Sequence, residues 1–310
     1  LWKQMMIYAL PLLIAGLAGI TNETIDRILL KQIEQPITIY EDYSTKLQKD
    51  IIEREKHIII DDKLIYEDIK QFGNKFNQLL PKSKTYVIKK SKEKEVGLYG
   101  AFYKLSILMI LFIQAFRFAA DPFFFSQEKE KNSRKIYADV MKYFVIITSF
   151  IFLIVSMFYE FIRDFLGENY HDQRGFKVVS ILLAANLFLG IYYNLSIWYK
   201  LSEKTKYGAY LSIFGAIITL VLNFILIPII GFVGSAWATL ACYFSMTIAS
   251  YFLGKRHYSI PYSLQRIFFY LGLVVFMYFT SSEIKSHLLS IFYIIIFICI
   301  AVYLEKPKKA

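Results

Sequence analysis

Blocks of about 20 apolar residues, divided by short charged stretches, govern what this chain can fold into. A hydrocarbon core about 30 Å thick is crossed by about 20 residues of α-helix, at about 1.5 Å per residue. Only helices and closed barrels satisfy every backbone polar group in lipid. Barrel strands would alternate apolar and polar residues over about ten positions, and these blocks do not alternate. The chain therefore reads as an all-α membrane protein. Its 56% hydrophobic content exceeds the roughly 45–50% of soluble domains.

About eight transmembrane helices follow from the block lengths. They cover residues 5–30, 97–120, 137–161, 178–199, 208–227, 231–253, 267–280 and 288–303. The first block lacks a small-residue cleavage site leading into a soluble domain, so it is not a signal peptide. The chain opens on Leu1 rather than Met, which reads as a fragment or a processed product.

The net charge of +11 would raise nucleic acid in a soluble chain. Here the Lys and Arg residues gather at the ends of apolar blocks, which excludes that reading in favour of membrane orientation. Lys129, Lys131, Arg134 and Lys135 follow span two; Lys200, Lys204 and Lys206 follow span four; Lys255, Arg256 and Arg266 follow span six. Lys306, Lys308 and Lys309 follow the last span. The connections between them are poorer in cations. The positive-inside rule then places these loops and both termini on the cytoplasmic side of the membrane, as in a multi-pass protein.

Residues 34–95 form a polar segment of mixed charge that the same alternation places in the periplasm. His57-Ile58-Ile59-Ile60 and Lys63-Leu64-Ile65-Tyr66, joined by Asp61-Asp62, predict a small hairpin, and Ile69, Phe72, Phe76, Leu79 and Leu80 recur at helical spacing. A poorly ordered insertion is the alternative, given its Lys/Glu-rich makeup. The organisation is thus a first helix over 1–33, the insertion over 34–95, five helices over 96–254, and a further helix pair over 255–310.

Ionisable residues inside spans cost about 2.5–3.5 kcal/mol on insertion scales, so each asks for a function or a partner. Asn22, Glu23, Asp26 and Arg27 close span one, with positions 23, 26 and 27 on one helical face. Either Glu23 and Arg27 pair locally, or this face lines a polar cavity. Gln114, Arg117 and Asp121 share a face near the inner end of span two. Either Arg117 reaches the interface and pairs with Asp121, or it faces a cavity. An arginine fork suits a diphosphate because it makes bidentate, charge-assisted bonds and stays ionised. Lys104 and Lys200 read as interfacial anchors, and Trp198 as part of an aromatic belt near Asn186, Tyr192, Tyr193 and Asn194. Asn223 with Pro228 suggests a break in span five that serves packing. Cys242 and Cys299 read as two buried thiols without a disulfide. The four histidines have no metal-ligand spacing, and no phosphate loop, HExxH or GxSxG is present, so no metal, cofactor or catalytic residue is expected.

Several stretches resemble polysaccharide-export flippases of the MOP superfamily, the Wzx-like branch. They are Tyr8-Ala9-Leu10-Pro11-Leu12-Leu13, Asn22-Glu23 through Asp26-Arg27-Ile28-Leu29-Leu30, and Val96-Gly97-Leu98-Tyr99-Gly100-Ala101. Gln114-Ala115-Phe116-Arg117, Asp121-Pro122-Phe123-Phe124-Phe125 and Gly231-Phe232-Val233-Gly234-Ser235-Ala236-Trp237-Ala238-Thr239 complete the set. The resemblance implies that spans one to six form the second of two six-helix lobes, with two extra C-terminal helices behind them. It implies a partner lobe absent from this chain, and a lipid-linked oligosaccharide and membrane lipids as the molecules bound. The implied activity is flipping of an undecaprenyl-diphosphate oligosaccharide across a bacterial cytoplasmic (inner) membrane for O-antigen or capsule export, without enzymatic chemistry. Arg27, Arg117, Gln114 and Asn22 would bind the diphosphate or line its cavity, with Glu23, Asp26 and Asp121 as charge partners or coupling acids. A cation or drug antiporter of the related MATE branch, and a membrane polysaccharide polymerase, are the alternatives.

Overall fold

A computed structural model describes residues 2–33, 38–40, 58–60, 64–66, 86–88, 92–166, 172, 174–284 and 287–306. Helix α1 spans Trp2–Gln32. The insertion contributes strands β1 (Thr38–Tyr40), β2 (Ile58–Ile60), β3 (Leu64–Tyr66) and β4 (Tyr86–Ile88). Then come α2 (Lys92–Leu105), α3 (Ile107–Ser126), α4 (Ser133–Met157) and the short α5 (Tyr159–Arg163). The chain continues through α6 (Gly175–Leu195), α7 (Ile197–Leu201), α8 (Lys206–Ile230) and α9 (Phe232–His257). It closes with α10 (Leu264–Ile284) and α11 (His287–Glu305).

Seven helical spans are long and apolar enough to cross a bilayer, and α1 makes eight when its two halves count as one. Those halves, Met5–Ile20 and Thr24–Gln32, meet at 42°. The Thr24 hydroxyl donates to the Ile20 carbonyl at 3.0 Å, a back-bond that bends helices.

Two expected boundaries shift. Residues 97–120 are not one helix: α2 and α3 meet at Ser106, and the apolar crossing unit is Ile107–Ser126. Ser106 turns the ladder locally to i→i−3 bonds, with its N–H on Tyr103 O and Met109 N–H on Ser106 O, both at 3.1 Å. Pro228 does not break α8, which runs on to Ile230 and stops at Gly231. That glycine has φ 61° and ψ −145°, a conformation almost restricted to glycine.

Helix α6 is the hub. It is apolar all round and buried over most of its surface, with α9, α4, α2 and α3 packed on it. Helices α8 and α9 form a hairpin against which α1 lies, while α10 and α11 lean on α4. Glu305, at the end of α11, ties this last pair down by accepting from Lys142 of α4 at 2.7 Å and from the Tyr270 hydroxyl at 3.2 Å. Small residues permit the closest approaches. A Cβ on Gly234 would sit 2.7 Å from the Leu226 backbone, which cannot swing away. Gly234→Ala should therefore lower stability by about 1–3 kcal/mol, read as an earlier thermal unfolding transition in detergent. Gly272→Ala, with nothing within 4 Å, should leave that transition unchanged.

In the insertion, β2 and β3 pair antiparallel as expected, Ile58 opposite Tyr66 and Ile60 opposite Leu64. The sheet is larger than the hairpin, with order β1-β4-β2-β3. Pairing of β1 with β4 brings the two ends of the insertion side by side. The helically spaced Ile69–Leu80 stretch lies outside the described residues.

Candidate functional site

Asp26 is the most deeply buried carboxylate among the described residues, with 2% of its surface exposed. It sits where α1 meets α2, α8 and α9. The Tyr99 hydroxyl of α2 and the Thr239 hydroxyl of α9 both donate to its Oδ2 at 2.8 Å. Asn223 Nδ2 of α8 donates to Oδ1 at 2.8 Å and, with its other hydrogen, to Thr219 O at 2.9 Å. Ser235 completes the shell by donating to Asn223 Oδ1 at 2.7 Å. Three helices besides α1 thus each aim a neutral donor at one carboxyl group. Polar side chains recur one turn apart along α8 and α9, as Thr219/Asn223 and Ser235/Thr239.

One turn along α1, Asn22 continues this lane. Its Nδ2 points at Cys242 Sγ at 3.6 Å, and its Oδ1 is buried without a hydrogen-bond partner. The Thr219 hydroxyl is likewise buried and unpartnered. Cys242 is a buried free thiol; Cys299, expected to be buried too, is exposed on α11.

The shared face expected for Asp26 and Arg27 divides. Neighbouring helical positions are about 100° apart, so Asp26 enters the bundle while Arg27 stays exposed. The Arg27 guanidinium lies 5.0 Å from the Tyr103 ring centroid. The side chain of Glu23, and with it a pairing to Arg27, lies outside the described residues.

On α3, Gln114 and Arg117 are both half-buried. Arg117 does not pair with Asp121. Its guanidinium stacks 4.8 Å above the Tyr193 ring of α6, a placement that keeps the charge while covering one face of the group. Asp121 is taken by Lys200 of α7, whose Nζ donates to both carboxylate oxygens at 2.7 Å. Lys200 is therefore a partnered cation rather than an interfacial anchor. Leu12 of α1 packs against the apolar cluster of Tyr192, Trp198 and Tyr199, so the first half of α1 approaches this region. Among the described residues no carboxylate is within ion-pair distance of Arg27 or Arg117.

Trp198 also departs from expectation. It is 1% exposed and donates to Ser250 Oγ at 3.2 Å, so it belongs to the interior and not to a belt. Gly254 makes room for it, since a Cβ there would meet its ring at 2.8 Å.

A second charged centre was not singled out from sequence. Arg174, just before α6, forks onto Glu95 of α2 through two bonds of 2.9 Å. It also donates from Nε and Nη2 to Asp172 at 2.9 and 2.8 Å, and its guanidinium lies 4.1 Å from the centroid of Phe232. Burial alone would lower its pKa, but the bonds to Asp172 and Glu95 outweigh that and hold it above the ordinary value. The sequence signal was weak, because Arg174 and Asp172 read as offsetting loop charges and Glu95 as the end of the insertion. Among the described residues no cluster of His, Cys, Asp and Glu is arranged to hold a metal.

Fold and site define a multi-pass helical membrane protein with polar clusters buried among its spans. The MatE family model matches residues 81–225, a little under half the chain, from the last strand of the insertion through most of α8. No curated protein and no solved structure matches significantly.

Proposed function

We propose that this chain is a transporter lobe that carries a diphosphate-linked oligosaccharide lipid across the membrane. One observation favours this cargo: among the described residues, the carboxylates in the spans are satisfied while no carboxylate lies within ion-pair distance of Arg27 or Arg117. Asp26 is held by three neutral donors and Asp121 by Lys200. Among the described residues, Arg27 lies over the Tyr103 ring and Arg117 over the Tyr193 ring. The charge left over among the described residues is positive, which suits a diphosphate and repels organic cations. The likeness to MatE supports transport over enzymatic chemistry. In this reading the Lys/Arg-rich connections lie in the cytoplasm, and a second lobe completes the cavity.

A second reading draws on Asp26 itself. A carboxyl group caged by neutral donors from three helices is arranged to exchange a proton or small cation, as a drug antiporter requires. Both oxygens are already occupied, so a cation must displace Tyr99, Thr239 or Asn223 to bind.

Arg117→Ala in the full-length protein should reduce surface polysaccharide at least about tenfold at an unchanged membrane level, the loss expected for one charge-assisted phosphate contact. Arg117→Lys should restore part of it. Transfer of labelled undecaprenyl-diphosphate sugar between leaflets of proteoliposomes gives the direct readout. Full polysaccharide in the alanine variant would remove Arg117 from the mechanism. Export of cationic dyes at the expense of lipid transfer would favour the antiporter.

A further inference from the structure

One turn from Asp26 toward the amino end of α1, buried polar groups meet with bonding capacity left over. Asn22 of α1 stands four residues before Asp26, and Thr219 of α8 four before Asn223. Cys242 of α9 stands three residues after Thr239. These spacings bring the trio to one level. Asn22 Nδ2 lies 3.6 Å from Cys242 Sγ. A Cβ on Gly215, one turn from Thr219 on α8, would lie 3.0 Å from the same sulfur. Asn22 is 3% exposed and Thr219 1%, yet Asn22 Oδ1 and the Thr219 hydroxyl have no hydrogen-bond partner among the described residues. Buried polar atoms left in this way are rare and ask for a ligand or a water.

We propose that this level holds one buried water, which links Asn22 and Thr219 to Asp26 and relays the proton of that carboxyl group. A carboxylate offers about four lone-pair sites. Asp26 accepts twice on Oδ2, from Tyr99 and Thr239, and once on Oδ1, from Asn223. The remaining site on Oδ1, the Asn22 carbonyl and the Thr219 hydroxyl make two acceptors and one donor. A water that donates to both oxygens and accepts from Thr219 closes all three, the roughly three bonds a buried water makes. A hard cation wants more oxygen ligands than this level offers.

Access comes along α1. Gly19, three residues before Asn22 on the same face, is half-buried, and a Cβ there would meet nothing within 4 Å. This face of α1 therefore admits water as far as Asn22. In the relay the bridging water gives one proton to Asp26 Oδ1 as it takes another from the next water outward. The carboxylate becomes a neutral acid and the bridging water is restored. Among the described residues, the titratable side chains closest to this path are Tyr99 of α2 and Cys242 of α9. Helix α8 brings the neutral Asn223 and Thr219, and Arg27 is turned out over Tyr103. The relay rests on the reading of Asp26 as a proton-exchanging group and not on the lipid cargo.

Time-resolved infrared spectroscopy of the full-length protein after a drop in pH tests this. It reads the band of protonated Asp26, identified by its loss in Asp26→Asn. Thr219→Val deletes the hydroxyl and should slow the appearance of that band at least about tenfold, the effect of one lost hydrogen bond in a charged network. Thr219→Ser keeps a hydroxyl and should show the wild-type rate. Thr219→Val should also lower the thermal transition in detergent, because it takes a partner from the water. At a dry level it would instead remove an unpaired donor and raise the transition. Equal rates in wild type and Thr219→Val, or a transition raised by the valine, would overturn the assignment. Absence of an Asp26 band in the wild type would end the proton-exchange reading and the relay with it. A transition raised by sodium chloride but not by choline chloride would put a cation in the water's place and overturn it too.

Discussion

Arg174→Met is expected to unfold this protein about 3 kcal/mol more easily, the low end of the cost of breaking a buried ion pair from one side. Arg174 is 31% exposed, so water offsets part of the loss, but its partners are not: the Glu95 side chain is 5% exposed and Asp172 14%. Without the guanidinium, two carboxylates face each other across the junction of α2, α6 and α9 and lose the four hydrogen bonds that the Arg174 side chain donates to them. The consequence should show as an earlier thermal transition of the purified protein in detergent. Adding Glu95→Gln and Asp172→Asn to Arg174→Met should recover much of the loss, since the two carboxylate charges are then gone. If the single variant unfolds like wild type, the fork is not holding the junction together.

The second large effect is at Asp26. Asp26→Leu should cost about 2–3 kcal/mol, because buried donors lose their acceptor at about 1–3 kcal/mol each. The loss is cushioned unevenly. Thr239 is also 3.0 Å from Ser235 O, and Asn223 retains Thr219 O. Among the described residues the Tyr99 hydroxyl donates to Asp26 alone, so the greatest loss falls there. Asp26→Asn should cost less than about 1 kcal/mol. Its carbonyl accepts from Asn223, its amide meets Tyr99 and Thr239, and these hydroxyls turn to accept. The pair of variants separates structure from transport. The asparagine variant should keep the thermal transition and lose leaflet transfer if the ionisable carboxyl drives the cycle. Equal transfer by wild type and Asp26→Asn would confine Asp26 to a packing role.

Much of this architecture is legible in the sequence because the bilayer imposes a length and a polarity on every crossing. The apolar blocks at 178–199 and 208–227 fall inside the spans Gly175–Leu201 and Lys206–Ile230. The hairpin between Ile58 and Tyr66 is likewise local, since a short connection and β-branched residues suffice to pair neighbours. Failures cluster where a local rule met a tertiary partner. Pro228 reads as a break, yet α8 continues through it and is packed against α9. Arg117 and Asp121 read as an i,i+4 pair, yet Tyr193 and Lys200, brought from α6 and α7, take them separately.

Sequence by itself determined that this chain threads lipid repeatedly, because hydrocarbon admits only helices of sufficient length, and that its arginines at the ends of spans one and two need an explanation. Tertiary structure alone decided which polar residues meet. Asp26 and Thr239 are 213 positions apart, Asp26 and Asn223 are 197 apart, and Arg174 and Glu95 are 79 apart. Helical periodicity tells which face of a span is polar, but not which span it turns toward. That choice is made by the collective packing of helices around α6, where small residues such as Gly190 let neighbours close in.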